Sequence, residues 1–147
     1  MGMARIRLEE PRSYSFSTKI PIRITDLNYG GHVGNDTILS IIHEARMQFL
    51  KSLGYSELEM EGVSLIMSDV AIEFRAEVFY GDIITAKVQA GEVSRAGFEL
   101  LYRLEKEENK LVTLARTGMV CFNYTQRKVS PIPEAALLKL KPAESSR

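Results

Sequence analysis

The stretch from Asp26 to Leu53, DLNYGGHVGNDTILSIIHEARMQFLKSL, joins a polar loop to the one long helical pattern of this sequence. The loop carries glycines at positions 30, 31 and 34 and ends at Asn35, a residue type that commonly caps a helix start. Where a loop meets a helix start, backbone N–H groups lack intrahelical acceptors, so they can polarise a carbonyl group or hold an anion. We therefore expect the chemistry of the protein in this loop.

The helical pattern has a wide apolar stripe, which predicts a helix packed against a large surface. The stripe consists of Ile38, Ile41, Ile42, Ala45, Phe49 and Leu53. Arg46 falls within it, so we expect its guanidinium group to form an ion pair. Asp36, Ser40 and His43 follow at helical spacing on the opposite side, which predicts a face in contact with water.

Five other segments have the alternating or continuous apolar patterns of β-strands. They span residues 14–25, 63–78, 82–93, 97–107 and 110–124. Turn signals at positions 94–97 and 108–109 leave short connections between the last three strands, which should therefore pair as antiparallel hairpins. Pro21 cannot donate a hydrogen bond to a neighbouring strand, so the first strand is expected to lie at an edge of the sheet or to bend there.

Length, charge and cysteine content limit the class of protein. A chain of 147 residues fits one domain spanning 1–147, with its core at about residues 14–131. Nineteen basic and nineteen acidic residues balance, which argues against a nucleic-acid partner, and no apolar run is long enough to span a membrane. We therefore expect a cytoplasmic protein. The only cysteine, Cys121, lies in an apolar run and is expected to be a buried, unreactive thiol.

The order of the elements, one strand, one helix and then four strands, predicts an α+β fold. A single helix that is apolar over so wide an arc needs a sheet curved around it, and one five-stranded antiparallel sheet supplies that. Residues 63–67 are almost continuously apolar, so the sheet would keep apolar surface beyond the helix. Pairing of two sheets in a homodimer, or in a homotetramer built from dimers, would cover that surface.

These features together resemble the hot-dog fold acyl-CoA thioesterases, in particular the branch of 4-hydroxybenzoyl-CoA thioesterase. Asp26-Leu-Asn-Tyr-Gly-Gly-His-Val-Gly-Asn35 resembles the family's loop, in which an Asp and a turn precede His-Val-Asn-Asn and the helix. Glu44-Ala-Arg46 and the turn Tyr80-Gly-Asp82 add to a resemblance that covers roughly residues 20–131. It implies hydrolysis of an acyl-CoA or acyl-carrier-protein thioester, with no metal ion and no cofactor besides the coenzyme A of the substrate.

The loop departs from the family's pattern at the position that usually carries the chemistry. Four residues before His32, relatives usually have an aspartate that acts as nucleophile or general base, whereas this chain has Asn28. An amide takes no proton but can hold a water molecule or the thioester carbonyl. The resemblance then makes His32 the ionisable candidate, the backbone N–H of Asn35 the oxyanion donor and Asp36 a candidate carboxylate. Alternatively, His32 only orders the loop and Asp36 only stabilises the helix dipole.

The resemblance also implies site residues outside the loop. The family's site lies between two protomers, so a carboxylate from the partner, Asp69 or Glu73, is a further candidate. Arg95, in the turn after the third strand, resembles a position where relatives use basic residues to bind the nucleotide phosphates of coenzyme A. A solvated turn charge is the alternative for Arg95. Met47 and Met67 are candidate walls of the slot for the acyl group.

Two other functions stay open. A hydratase or dehydratase on the same fold would pair His32 with Asp36 or Glu44, but the loop reads His-Val-Gly where such an enzyme is expected to read His-Phe-Pro. A non-catalytic module that binds acyl-CoA or an acyl carrier is the second, and Asn28 in place of the usual aspartate favours it. An activity assay would distinguish the three functions. Turnover of saturated acyl-CoA would indicate the thioesterase, turnover of enoyl or 3-hydroxyacyl thioesters alone the hydratase or dehydratase, and binding without turnover the binding module.

Overall fold

The computed structural model describes residues 5–142, which form an antiparallel sheet with one long helix packed across it. The strands are β1 (Phe16–Pro21), β2 (Ser64–Phe74), β3 (Ile83–Ser94), β4 (Gly97–Lys106), β5 (Lys110–Asn123) and β6 (Lys128–Val129). The helices are α1 (Asn35–Ser52) and α2 (Glu134–Leu140), and a single 3₁₀ turn covers Ile24–Asp26. The predicted α+β fold is confirmed, with a sixth strand of two residues beyond the five expected. Residues 1–4 and 143–147 of the predicted domain lie outside the described part.

The sheet has the strand order β1-β3-β4-β5-β2, and β6 pairs with β5. All neighbours are antiparallel, and the short connections predicted this for the pairs β3-β4 and β4-β5. β1 and β2 are the two edges, and Pro21 is the last residue of β1, so the edge position expected from this proline is confirmed. No helix within residues 5–142 is long and apolar enough to cross a membrane.

α1 lays its apolar stripe on one face of the sheet, where Ile42 and Leu50 are fully buried. Arg46 is only 4% exposed within this interface. Its Nε donates to Oε2 of Glu57 at 3.2 Å and its Nη1 donates to the hydroxyl of Tyr102 at 3.3 Å. The predicted ion pair of Arg46 is therefore confirmed, and it ties the segment after the helix to the helix itself.

The start of α1 differs from the prediction. Asn35 was expected as the N-cap, but Gly34 takes that position in extended conformation (φ −76°, ψ 165°), and Asn35 is the first helical residue. The reason is a long-range contact: the N–H of Val33 donates to the carbonyl of Val78 at 2.9 Å, which keeps the chain extended up to Gly34. Gly34 has no side chain, so no side-chain hydrogen bond caps the helix.

The face of the sheet away from α1 is covered in part by the chain's own N-terminal segment, residues 5–15. This segment bonds to one side chain on each of three strands: Glu73 on β2, Arg103 on β4 and Gln89 on β3. Beneath it Leu101 is buried. Part of the apolar surface that we expected to need a second sheet is thus covered within the protomer. Exposed apolar side chains remain on the edge strand β2: Ile66 on this face, and Val70 and Phe74 on the α1 face.

Candidate active site

The loop before α1 is closed by hydrogen bonds between its own residues. The N–H of Asn28 donates to the carbonyl of His32 at 2.9 Å, and the N–H of Gly31 donates to the carbonyl of Asn28 at 3.1 Å. Gly31 has φ +85°, a left-handed conformation that favours glycine. Leu27 and Val33 pair below this turn as in an antiparallel ladder. Asn28 and His32 therefore stand opposite each other in a small hairpin.

The side chain of Asn28 is oriented by the backbone of Gly30. The N–H of Gly30 donates to Oδ1 of Asn28 at 2.9 Å. Because an N–H group needs an acceptor, the amide oxygen of Asn28 faces Gly30 and its Nδ2 amino group points away from Gly30. A Cβ atom placed on Gly34 would lie 3.6 Å from Nδ2 of Asn28 and 2.8 Å from Oδ1 of Asp36. The amide donor of Asn28 and the carboxylate of Asp36 thus flank the same glycine.

The half-buried imidazole of His32 has one free ring nitrogen. Its Nδ1 lies 3.3 Å from the carbonyl oxygen of Val33. A carbonyl oxygen only accepts, so this contact favours the tautomer with the proton on Nδ1 and leaves Nε2 unprotonated. A Cβ atom placed on Gly30 would lie 3.8 Å from Nε2 of His32 and 3.2 Å from Oδ1 of Asn28. The basic nitrogen and the amide are therefore neighbours around a position that glycine leaves open.

The first turn of α1 adds backbone donors to the same place. Asn35, Asp36 and Thr37 are its first three residues, and the N–H groups of a first turn have no intrahelical acceptor. The positive end of the helix dipole favours negative charge there. Addition of water to a carbonyl group requires donors that stabilise the oxyanion and, next to them, a base that takes a proton from the water. Within residues 5–142 no three His, Cys, Asp or Glu side chains are grouped as metal ligands.

The structure brings Asn28, His32, Asn35 and Asp36 together at the start of α1, but it places Arg95 elsewhere. β3 begins beside the loop and ends at the turn that carries Arg95, whose side chain is exposed. A strand of 12 residues spans about 40 Å. Within one protomer, Arg95 is therefore far from the loop.

Asp69 and Glu73 lie on the face of the sheet away from α1. Arg116 donates to Asp69 at 2.6 Å, and this hydrogen bond lowers the pKa of that carboxyl group. The N–H of Leu8 donates to Glu73 at 2.9 Å, and Arg75 pairs with the same carboxylate; both contacts lower its pKa. Both carboxylates are thus engaged by cations or N–H donors, and neither points toward the loop of its own protomer.

The two methionines expected in the acyl slot lie on opposite flanks of α1. Met47 lines a groove of about 740 Å³ between α1 and β1, together with Phe16 and Thr18. Met67 lies on the β2 side, where its sulfur is 4.0 Å from Nη1 of Arg46. A slot with both methionines as walls is therefore not formed within the protomer.

The turn between β2 and β3, residues 78–82, supports the loop in a way that the sequence did not reveal. The N–H of Val33, at the end of the loop, donates to the carbonyl of Val78 at 2.9 Å. The N–H of Ile22, before the loop, donates to the carbonyl of Asp82 at 3.0 Å. The motif Tyr80-Gly-Asp82 indicated a turn, but a turn motif does not say which segment the turn holds.

The profile of the thioesterase-like superfamily matches residues 22–140, which include the loop, α1 and the whole sheet except β1. The chain belongs to the thioesterase-like superfamily. The resemblance to hot-dog thioesterases stated from the sequence is therefore confirmed.

Individual members of the thioesterase-like superfamily agree with this assignment. The 1,4-dihydroxy-2-naphthoyl-CoA hydrolase of Synechococcus elongatus is 30% identical over 118 residues, which cover 77% of this chain and 85% of the relative. The hydrolase of the same name from Microcystis aeruginosa is 31% identical over 117 residues, covering 78% and 84%. The crystal structure of a 1,4-dihydroxy-2-naphthoyl-CoA thioesterase from Synechocystis superposes with a TM-score of 0.77 at 23% identity, covering 86% of this chain and 95% of that chain. The last comparison confirms the fold.

Proposed function

We propose that this member of the thioesterase-like superfamily hydrolyses an acyl-CoA thioester to the free acid and the thiol of coenzyme A. The observation that carries the proposal is the grouping of Asn28, His32 and Asp36 around Gly30 and Gly34 at the start of α1. The names of the 1,4-dihydroxy-2-naphthoyl-CoA hydrolases support this reaction class, and they make an aromatic acyl group the first one to test. The cytoplasmic location expected from the sequence belongs to the same proposal.

His32 is the general base of the proposed reaction. Its unprotonated Nε2 takes a proton from a water molecule while the water oxygen attacks the thioester carbonyl carbon. The carbonyl oxygen becomes an oxyanion in the tetrahedral intermediate. When the intermediate collapses, the C–S bond breaks and His32 returns the proton to the departing sulfur. The products are the acid and the free thiol.

The oxyanion is stabilised by two donors in this proposal, the backbone N–H of Asn35 and Nδ2 of Asn28. Both are in place before the substrate arrives, because the helix start fixes the first and the Gly30 contact orients the second. Preorganised donors of this kind are usually the largest single contribution to catalysis of acyl transfer. Asp36 accepts the second hydrogen of the attacking water and so orients it.

A second subunit completes the site. Asn28 and Asp36 are exposed, so one protomer does not enclose the thioester. The free edge of β2 exposes Val70 and Phe74 on its α1 side, and pairing with β2 of a second copy about a two-fold axis would cover them. The two-fold axis reverses the second sheet, which brings Arg95 of the partner subunit to the end that carries the loop. There its guanidinium group binds the nucleotide phosphates of coenzyme A. A homotetramer would contain two such dimers.

Release of free thiol over a panel of thioesters tests the proposal. The panel contains saturated, aromatic, enoyl and 3-hydroxyacyl groups, each on coenzyme A and on an acyl carrier protein. Turnover of saturated or aromatic acyl-CoA supports the thioesterase. Reaction of enoyl or 3-hydroxyacyl thioesters without thiol release supports the hydratase, and stoichiometric binding without turnover supports the binding module. Sedimentation as a stable monomer at micromolar concentration would contradict the dimer.

A further inference from the structure

Lys106, at the end of β4, is a lysine with little access to solvent. Its side chain is 11% exposed. Its Nζ donates to the carbonyl of Glu77 at 2.7 Å and to Oδ2 of Asp82 at 3.4 Å, and it lies 5.4 Å from the ring centroid of Phe79. An ammonium group that leaves water needs such partners, because its hydration is lost. These three partners belong to the connection between β2 and β3.

That connection is a tight turn with its own internal hydrogen bonds. Oδ2 of Asp82 accepts from the N–H of Phe79 at 2.9 Å, and the N–H of Asp82 donates to the carbonyl of Phe79 at 3.1 Å. Gly81 has φ +91°, which the turn requires and which few other residues adopt. The carboxylate of Asp82 therefore closes the turn from within, and Lys106 fastens it to β4.

The same turn holds both ends of the active-site loop. Phe79 pairs with His32 in a ladder contact, and the neighbouring Val78 carbonyl accepts from the N–H of Val33. The carbonyl of Asp82 accepts from the N–H of Ile22, where the chain enters the loop. A shift of the turn would therefore displace the imidazole of His32 and the start of α1 together.

We propose that Lys106 is a positioning residue for the hydrolysis: it fastens the turn of residues 78–82 to β4 and so fixes His32 against the oxyanion donors. This inference rests on the proposed function. Misplacement of a reacting group by about 1 Å can cost about 100-fold in rate. Lys106 acts through the turn and touches neither the thioester nor the water.

The test compares Lys106→Met with Lys110→Met, a control that removes an exposed lysine from the adjoining hairpin. We expect Lys106→Met to lower kcat by roughly 10- to 100-fold with KM within about threefold, and Lys110→Met to leave both unchanged. Hydrogen exchange at the amides of Ile22 and Val33 should accelerate in Lys106→Met only. Lys106→Arg should restore most of kcat, because a guanidinium group can reach the same oxygens.

Unchanged exchange at Ile22 and Val33 in Lys106→Met would overturn the inference. So would a KM that rises for acyl-CoA but not for the acyl-pantetheine thioester, since that result would place Lys106 on the nucleotide phosphates. If Lys106→Met does not fold, Asp82→Asn weakens the same contact without removing a buried side chain, and the same readouts apply. Exchange at the two amides is measurable even if the wild-type protein hydrolyses no thioester. Failure of the proposed function is therefore distinguishable from failure of the inference that Lys106 fastens the turn.

Discussion

The main-chain nitrogen of Asn28 and the carbonyl oxygen of His32 are 2.9 Å apart, so one closed turn carries both candidate side chains. Substituting either side chain leaves this backbone hydrogen bond in place. Changes at the two positions should therefore report on the chemistry of the side chains, and the turn that presents them should persist.

His32→Ala is expected to lower kcat by about 10²–10⁴, the usual scale for a general acid or base. His43→Ala is the matched control, because it removes the second histidine of the chain from the exposed side of α1. Steady-state thiol release measures both, and circular dichroism checks that the fold is kept. Equal activity of His32→Ala and His43→Ala would mean that the imidazole in the loop only orders the backbone.

Asn28→Asp is expected to impair hydrolysis by about 10²-fold, the scale for one lost oxyanion donor. The carboxylate can still accept from the N–H of Gly30, but it has no hydrogen to give at the Nδ2 position and it adds negative charge beside Asp36. The measurement is kcat with acyl-CoA at neutral pH. A gain of activity would show instead that a carboxylate at position 28 takes part in hydrolysis, as in relatives with an aspartate there, and that the amide lowers the activity of this chain.

Gly34→Ala should lower kcat roughly tenfold or more with little loss of stability. The backbone at Gly34 suits any residue, but the added Cβ would lie 2.8 Å from Oδ1 of Asp36 and would displace that carboxylate at the helix start. Gly54→Ala is the opposite case, because Gly54 has φ +86°, a conformation in which a residue with a Cβ atom is strained. This substitution should lower the unfolding free energy by about 1 kcal/mol and leave kcat unchanged. Thermal unfolding and turnover of the two variants, compared side by side, check the prediction.

Glu57→Gln should destabilise the fold by roughly 3 kcal/mol, because it leaves the buried guanidinium group of Arg46 without its carboxylate. The double variant Arg46→Met with Glu57→Gln should recover much of that loss, since no buried charge remains. Urea unfolding of the two single variants and the double variant measures the coupling. Additive losses would show that Arg46 and Glu57 act independently.

Cys121 should be unreactive and dispensable. Burial raises the pKa of its thiol to about 11, so almost no thiolate is present at pH 8. Labelling with a disulfide reagent should therefore proceed only after unfolding, and Cys121→Ser should keep kcat within a few fold. Rapid labelling of the folded protein, or a hundredfold loss of activity in folded Cys121→Ser, would contradict this.

The sequence predicted the elements well, because periodicity reports which side of an element is buried: the stripe of α1 and the edge position of Pro21 both follow from local pattern. Features set by distant contacts were not predictable. The N-cap moved to Gly34 because Val33 bonds to a turn far along the chain. Likewise, a register shift between Met67 and Asp69 puts these two residues on opposite faces of the sheet, although strict alternation would place them on one.

The strand order also has a consequence for synthesis of the chain. The edge strands β1 and β2 precede the central strands in sequence, and β2 pairs only with β5 among the strands of residues 5–142. During translation, β2 must therefore wait until residues 110–123 have left the ribosome. We expect the nascent chain to bind chaperones over that interval, and a chain truncated at Glu107 to aggregate when it is made alone.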